Sequence, residues 1–425
     1  MLAKEQGWIA AVGALASLSL ALSCSRQPTV QAATDEEKRS AVVQSFEGAP
    51  TELGGEDVAG IERLFEDFRR ANAAGDADAL TELFDARMTF RLMKQQGLVP
   101  EPLVRNEDEF VAGLRRLLAP RLLDPSSGKP WIRHELRSVQ PIGDGSEVLV
   151  YGRHWDEDGL SHKIRWWLME DGARWRVYDL EWLEMSMRLS TSLGIGMKLA
   201  FEDDPSAELV SDLMEAVAVA LEGETGEALE LLLELESAGL APALESLRLM
   251  FLTSLLSEGR EYREALTYAD RTVEQAPDLP LIHLLYAGIY NALERHGEAV
   301  ASLEEYAFHL GRDADYYYEL GRAHHGLDRP AEAVEAHRAG LADDEQSGSN
   351  VLGLMRVLPP EERDSLVAHY GRLDDLDAWF TDMAELLVVE EDAHTLRVLV
   401  EIHREVSPGT GDLAPYEEVL DELED

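Results

Sequence analysis

Cysteine is almost missing from this chain: there is one, Cys24, in 425 residues. No intrachain disulfide can form, and no metal site built on several thiolates is possible. Bases are scarce too, 38 against 83 acids, and the net charge is −45. A phosphate backbone is gripped through a basic footprint, so nucleic acid is excluded as a partner. The same deficit argues against docking on an anionic lipid face. Lysine stops altogether at Lys198. The chain has no phosphate-cradling glycine loop, no His-Glu-x-x-His, no Gly-x-Ser-x-Gly and no kinase signature. It has no Asp-rich calcium loop either. No cofactor and no metal is implied. Apolar residues are nonetheless plentiful, at 45%, so the chain can bury real cores. Its length suits two to three domains of about 150 residues each.

What is present begins with a leader. Lys4 is a positive start, and Trp8 to Leu22 is an apolar run broken only by small residues. A retained membrane helix needs about 20 apolar residues, and this run is shorter. It ends at Leu20-Ala21-Leu22-Ser23-Cys24. That stretch resembles the lipobox of bacterial lipoproteins, which implies a lipidated Cys24 holding the protein to the bilayer through its acyl chains. Ser25, where an Asp often marks inner-membrane retention, leans towards the outer membrane. The expected address is the cell envelope. Residues 1–24 read as the signal peptide and 25–56, rich in Ser, Thr, Gln, Ala, Pro and Glu, as a flexible tether.

Charge divides the remainder. Residues 51–200 carry 26 acids and 20 bases, whereas residues 201–425 carry 52 and 14. Six of the eight tryptophans lie between Trp131 and Trp182. Two kinds of domain are the simplest account.

In the first, 57–187, apolar residues at helical spacing predict a helix over 61–73 closed by Gly75. Further helices are expected at 78–84 and 107–118, and a strand at 87–92. Trp131–Gln140, Glu147–Trp155, Leu160–Met169 and Arg174–Leu183 are β-branched or aromatic runs separated by Asp/Gly-rich turns, hence a consecutive antiparallel sheet. The fold class is α+β. Ala74-Gly75-Asp76-Ala77-Asp78-Ala79-Leu80, Leu83-Phe84-Asp85 and Arg174-Trp175-Arg176-Val177-Tyr178-Asp179-Leu180-Glu181 resemble the opening and close of a SnoaL-like domain of nuclear transport factor 2-like fold. That resemblance implies a bent sheet curling around helices to form a cone with an apolar pocket, suited to a small apolar ligand. Catalytic members place an Asp, or an Asp–His pair, in the pocket to shuttle a proton. The candidates are Asp85, His134, His154, His162 and Asp179, though none sits in a diagnostic motif. The bland expectation puts the histidines on a solvated strand face with Arg153, Lys163 and Arg165. Trp166 and Trp167, as neighbours on a strand, must face opposite ways.

The second domain is periodic. Glu264-Ala265, Glu298-Ala299 and Glu332-Ala333 recur every 34 residues, and Glu227-Ala228 stands 37 earlier. Tyr286-Ala287, Tyr290, Gly297 and Leu303 line up with Leu320-Gly321, His324, Ala331 and His337. This is similar to the tetratricopeptide repeat (TPR), which implies an all-α solenoid over 205–347. Divergent helical units and a C-terminal cap are expected over 348–425, where the sequence period is lost. The resemblance implies a concave groove lined by Leu284, Gly288, Asn291, Tyr318, Arg322 and His325, suited to a peptide or partner helix. The family's lysine-based carboxylate clamp is ruled out by the missing lysines, and the acidic excess suits a basic partner. The leading expectation is a membrane-anchored scaffold or adaptor. The alternative is a SnoaL-like enzyme doing acid–base chemistry on a small hydrophobic substrate, recruited by the repeats.

Overall fold

The computed structural model describes residues 55–99, 101–123, 133–143, 145–155, 161–172, 174–201, 206–373, 375–409 and 413–424. Cys24, the tether up to 54, Trp131 and the turn at 156–160 lie outside them. Among the described residues no helix is long and apolar enough to cross a membrane. The described chain falls into two compact units, 55–285 with 308–311, and 286–307 with 312–424.

The first unit opens with α1 (Gly55–Ala73), α2 (Ala77–Glu82), α3 (Ala86–Gln95), α4 (Glu101–Val104) and α5 (Glu107–Leu123). In α1, Ile61, Leu64, Phe65, Phe68 and Ala71 repeat at three- and four-residue spacing, and all five are buried, making one apolar stripe. Gly75 ends it in the left-handed region (φ +63°), which a residue without Cβ adopts freely. Asp76 starts α2 by accepting from the Ala79 N–H at 2.9 Å. Residues 87–92 are helical, not the strand their composition suggests. Asp85 supplies the reason: its carboxylate accepts from Arg87 N and Met88 N, an N-cap that starts a helix. Ala86, Thr89, Phe90 and Met93 then bury one helical face.

The sheet is a simple meander: β1 (Arg133–Ile142), β2 (Glu147–Trp155), β3 (Ser161–Asp171), β4 (Arg174–Trp182) and the short β5 (Met187–Arg188), each antiparallel to the next. Gly172, at φ +68°, stands in the β3–β4 turn. The pairing is irregular at Leu136/Ser138 and Trp167/Leu168, and such bulges bend strands. Asp85 N donates to Val177 O (2.7 Å) and Val177 N to Leu83 O (2.9 Å), stitching the α2–α3 junction to β4. The helices and one face of the sheet share a core of Phe65, Phe68, Phe84, Phe90, Val150 and Trp166. A helix α6 (Leu189–Phe201) completes this layer.

From there the chain is helical. Helices α7 (Ser206–Leu221), α8 (Thr225–Glu234), α9 (Pro242–Glu258) and α10 (Tyr262–Gln275) belong to the first unit, and α11 (Leu281–Ala292) crosses into the second. The second unit continues with α12 (His296–Leu310, its last residues counting with the first unit), α13 (Ala314–Gly326), α14 (Pro330–Asp343), α15 (Gly348–Val357) and α16 (Arg363–Tyr370). Then come α17 (Leu376–Val389), α18 (Ala393–Val406) and α19 (Ala414–Glu424).

The 34-residue period is written into the backbone. Arg260, Glu294 and Asp328 each turn one helix hairpin in the left-handed region, at φ +63°, +58° and +58°. They stand 34 apart. The spacing of helix starts also outlasts the sequence motif. Gly348 follows Ala314 by 34, and Arg363 follows Pro330 by 33, so α15 and α16 repeat the spacing of the preceding hairpin. Beyond Tyr370 the spacing changes, and a local core of Tyr370, Trp379, Phe380 and Leu399 takes over.

Candidate functional site

Strand register decides the fate of the histidines. His134 pairs with His154, and His154 with His162, so all three share one rung and one face of the sheet. That face is the helix-covered one, opposite Arg153, Lys163 and Arg165, which corrects the expectation of a shared solvated face. Phe65 of α1 lies over the rung, its ring centre 5.9 Å from His134 and 6.1 Å from His154. Phe65 and Phe68 meet Trp166 edge-on at 5.3 and 5.5 Å. Trp166 and these two phenylalanines thus pack around His154 in the core of this unit. Trp166 Nε1 donates to His154 Nε2 at 3.0 Å, which places the proton of the neutral imidazole on Nδ1. Burial first, then His134 and His162, hold His154 well below the usual histidine range. Among the described residues no group of three or more His, Cys, Asp or Glu is arranged to hold a metal.

The two aspartates lie elsewhere. Asp85 is spent as the α3 cap. Asp179 pairs with Trp167 across β3–β4 and so faces away from the histidines. It is 1% exposed and accepts from Ser190 Oγ (2.6 Å), Ser190 N and Leu180 N (both 3.0 Å). Burial pushes its carboxyl up to about 6, against the pull of the Ser190 hydrogen bonds. It ties β4 to the first turn of α6. The five candidates thus separate into a rung of histidines, a cap and a buried strut.

The second sheet face is charged yet buried. Arg153, Lys163, Arg165 and Glu181 are each under a tenth exposed. Arg165 bridges Glu181 (2.5 Å) and Asp278 (2.8 Å) in the same unit. Its guanidinium lies 4.8 Å from the Trp167 ring centre, with Arg188 at 4.0 Å. Tyr151 and Ser138 meet His309 of the 308–311 segment, the serine hydroxyl donating to its carbonyl at 2.7 Å. Cation–π pairs and closed ion pairs let this face leave water.

In the second unit, three of the predicted groove residues converge. Asn291, Arg322 and His325 line a hollow of about 170 Å³, joined by His296, His337 and Arg356. Arg322 and Arg356 are 34 apart, equivalent positions on α13 and α15. Glu319 organises the wall. It accepts from Asn291 Nδ2 at 2.8 Å and from Arg322 Nη1 at 3.0 Å. Because the Asn291 amide is committed to Glu319, its Oδ1 accepts from His296 Nδ1 at 3.2 Å. His337 repeats the device with Asn350. Asn350 Nδ2 donates to Ala314 O and Ser347 Oγ, so its Oδ1 takes the His337 Nδ1 proton at 3.1 Å. The ring sits between Gly321 and Gly353, where an added Cβ would fall 2.4 and 2.2 Å from it. Burial pushes His337 down to about 4, so it is neutral. Arg356 is held by two acids, Glu390 and Asp392, the latter 3.4 Å from its Nε.

The remaining groove residues are less central. Tyr318 is half-buried, with Arg322 over its ring at 5.6 Å. Gly288 lies beside Glu319. Leu284, also half-buried, belongs to the first unit. Arg356 was legible in principle by adding one period to Arg322. His337 carried no signal, because it reaches the hollow from the second helix of its hairpin.

No family model matches the chain, and no curated protein matches it. Solved structures do. PilF of Pseudomonas aeruginosa is 17% identical, with 50% of this chain and 96% of that one covered and a TM-score of 0.33. A MamA variant is 16% identical, covering 41% and 100%, at 0.31. YrrB, described as a TPR protein with an unusual peptide-binding site, is 15% identical, covering 42% and 91%, at 0.27.

Proposed function

We propose that the protein is an envelope lipoprotein, anchored through acylated Cys24, that holds a partner protein or peptide along α11, α13 and α15. The observation that carries this reading is the hollow between successive repeats. It sets two arginines in register, 34 residues apart, beside the exposed His325. Such a strip of fixed donors suits an extended segment whose side chains enter one pocket per repeat. Catalysis in the sheet domain is the weaker reading, since Trp166, Phe65 and Phe68 fill the space against the histidines and Asp179 is enclosed.

The test is native mass spectrometry of the full chain taken from its own membrane in mild detergent. A stoichiometric partner should be present. Tyr318→Ala with Arg322→Ala should release it while thermal stability changes little; retention by this variant would sink the groove assignment. The anchor is checked separately. Cys24→Ser should leave the protein without acyl mass on its N-terminal peptide, and outer-membrane fractions should lose it.

A further inference from the structure

On the outer side of the sheet domain, α1, α2, α5 and the start of β4 enclose an open groove of about 920 Å³. None of the five residues expected to form a pocket lines it. It is independent of the repeat hollow, and its chemistry inverts that of the chain. The whole protein has more than two acids per base. The groove has five arginines and three acids, Asp67, Asp76 and Glu82. Two arginines are neutralised locally, Arg70 by Asp67 at 3.3 Å and Arg176 by Asp171 at 3.0 Å. Asp76 is occupied in capping α2. Arg63, Arg115 and Arg174 make no ion pair among the described residues, and all three are exposed. Glu82 also lines the groove and makes no ion pair among the described residues. Beneath lies an apolar floor of Leu64, Leu83 and the edge of Trp175. Trp175 is pressed against the α1 backbone at Gly60, where a Cβ would fall 2.9 Å from its ring.

We infer that this groove is a binding site for an organic anion, a compact apolar body carrying carboxylate, sulfonate or phosphate groups. Its volume lies in the usual range for small-molecule sites, about 300–1,000 Å³. Charge complementarity fixes the class. In a chain so acidic, three guanidinium groups with no ion pair among the described residues stand around one apolar floor and repel cations; Arg63 gives only its Nε–H to Ala59 O, at 3.1 Å. Guanidinium groups pair with such anions through charge-assisted, often bidentate hydrogen bonds. The floor takes the hydrocarbon part.

The probe is 1,5-naphthalenedisulfonate, which is too highly charged to partition into uncharged micelles. It is titrated by fluorescence anisotropy into the full chain held in a neutral detergent. Saturable one-to-one binding is expected. Arg115→Gln with Arg174→Gln should weaken it about tenfold or more. Glu82→Gln should strengthen it, and the thermal midpoint should be unchanged in all of these variants because the side chains are exposed. Absence of saturable binding would overturn the inference. So would binding indifferent to the arginine pair, which would mark non-specific adsorption.

Discussion

Trp166 gives its indole proton to His154 across the β2–β3 pair, at 3.0 Å. The bond ties His154, one of the pocket candidates, to a fully buried tryptophan and makes the two one piece of core. Trp166→Phe keeps the apolar bulk but leaves His154 Nε2 buried without a donor. Loss of about 1–3 kcal/mol is expected for such an orphan. Urea denaturation followed by far-UV circular dichroism reads it, and an unchanged midpoint would mean that water replaces the indole.

Asp179 makes the sheet domain more stable in mild acid. Its native carboxyl titrates at about 6, against 3.8 in the unfolded chain. Between these values the native state holds the proton and the unfolded state does not, so stability falls as pH rises. The contribution is on the order of 3 kcal/mol. Asp179→Asn should flatten this dependence between pH 4 and 6, as measured by thermal unfolding of the full chain at stepped pH.

His337 acts with the opposite sign. Its native value near 4 lies below 6.5. The stabilisation is complete above the unfolded value and disappears as pH falls from about 6.5 to 4, an effect on the order of 3 kcal/mol. Hydrogen exchange of α13–α15 should accelerate over that window. Gly353→Ala should produce comparable loosening at pH 7, because its Cβ would strike the His337 ring. Full protection at pH 5 would rule out the buried neutral imidazole.

Glu294 holds a left-handed turn at φ +58°, a conformation that costs an L-residue roughly 1 kcal/mol. Glu294→Gly should therefore stabilise the α11–α12 hairpin by about 0.5–1 kcal/mol, less the entropy of glycine in the unfolded chain. Calorimetry should show a higher unfolding temperature with partner capture intact.

The strands and the helix hairpins could be read from composition and period because both signals are local. Alternation with Asp/Gly turns placed β1 to β4 within two residues of their ends, and a small residue every 34 positions placed α9 to α14. The segment 87–92 misled because a short stretch with Thr89 and Phe90 at its centre suits either structure, and one capping carboxylate from Asp85 settled it. The period past Ser347 was hidden because α15 and α16 keep the length of the repeat without its small residues.

What sequence alone determined, then, is most of the elements, the strand order and the unequal negative charge of the two halves, since each follows from neighbours along the chain. Tertiary structure decided which face of the sheet each histidine joined, because register between strands is set by the packing of a whole face. It packed Phe65 and Phe68 against Trp166, because both phenylalanines arrive from a helix far from it in sequence. It alone set three unpaired arginines from α1, α5 and β4 around one groove, for no spacing along the chain records such a meeting.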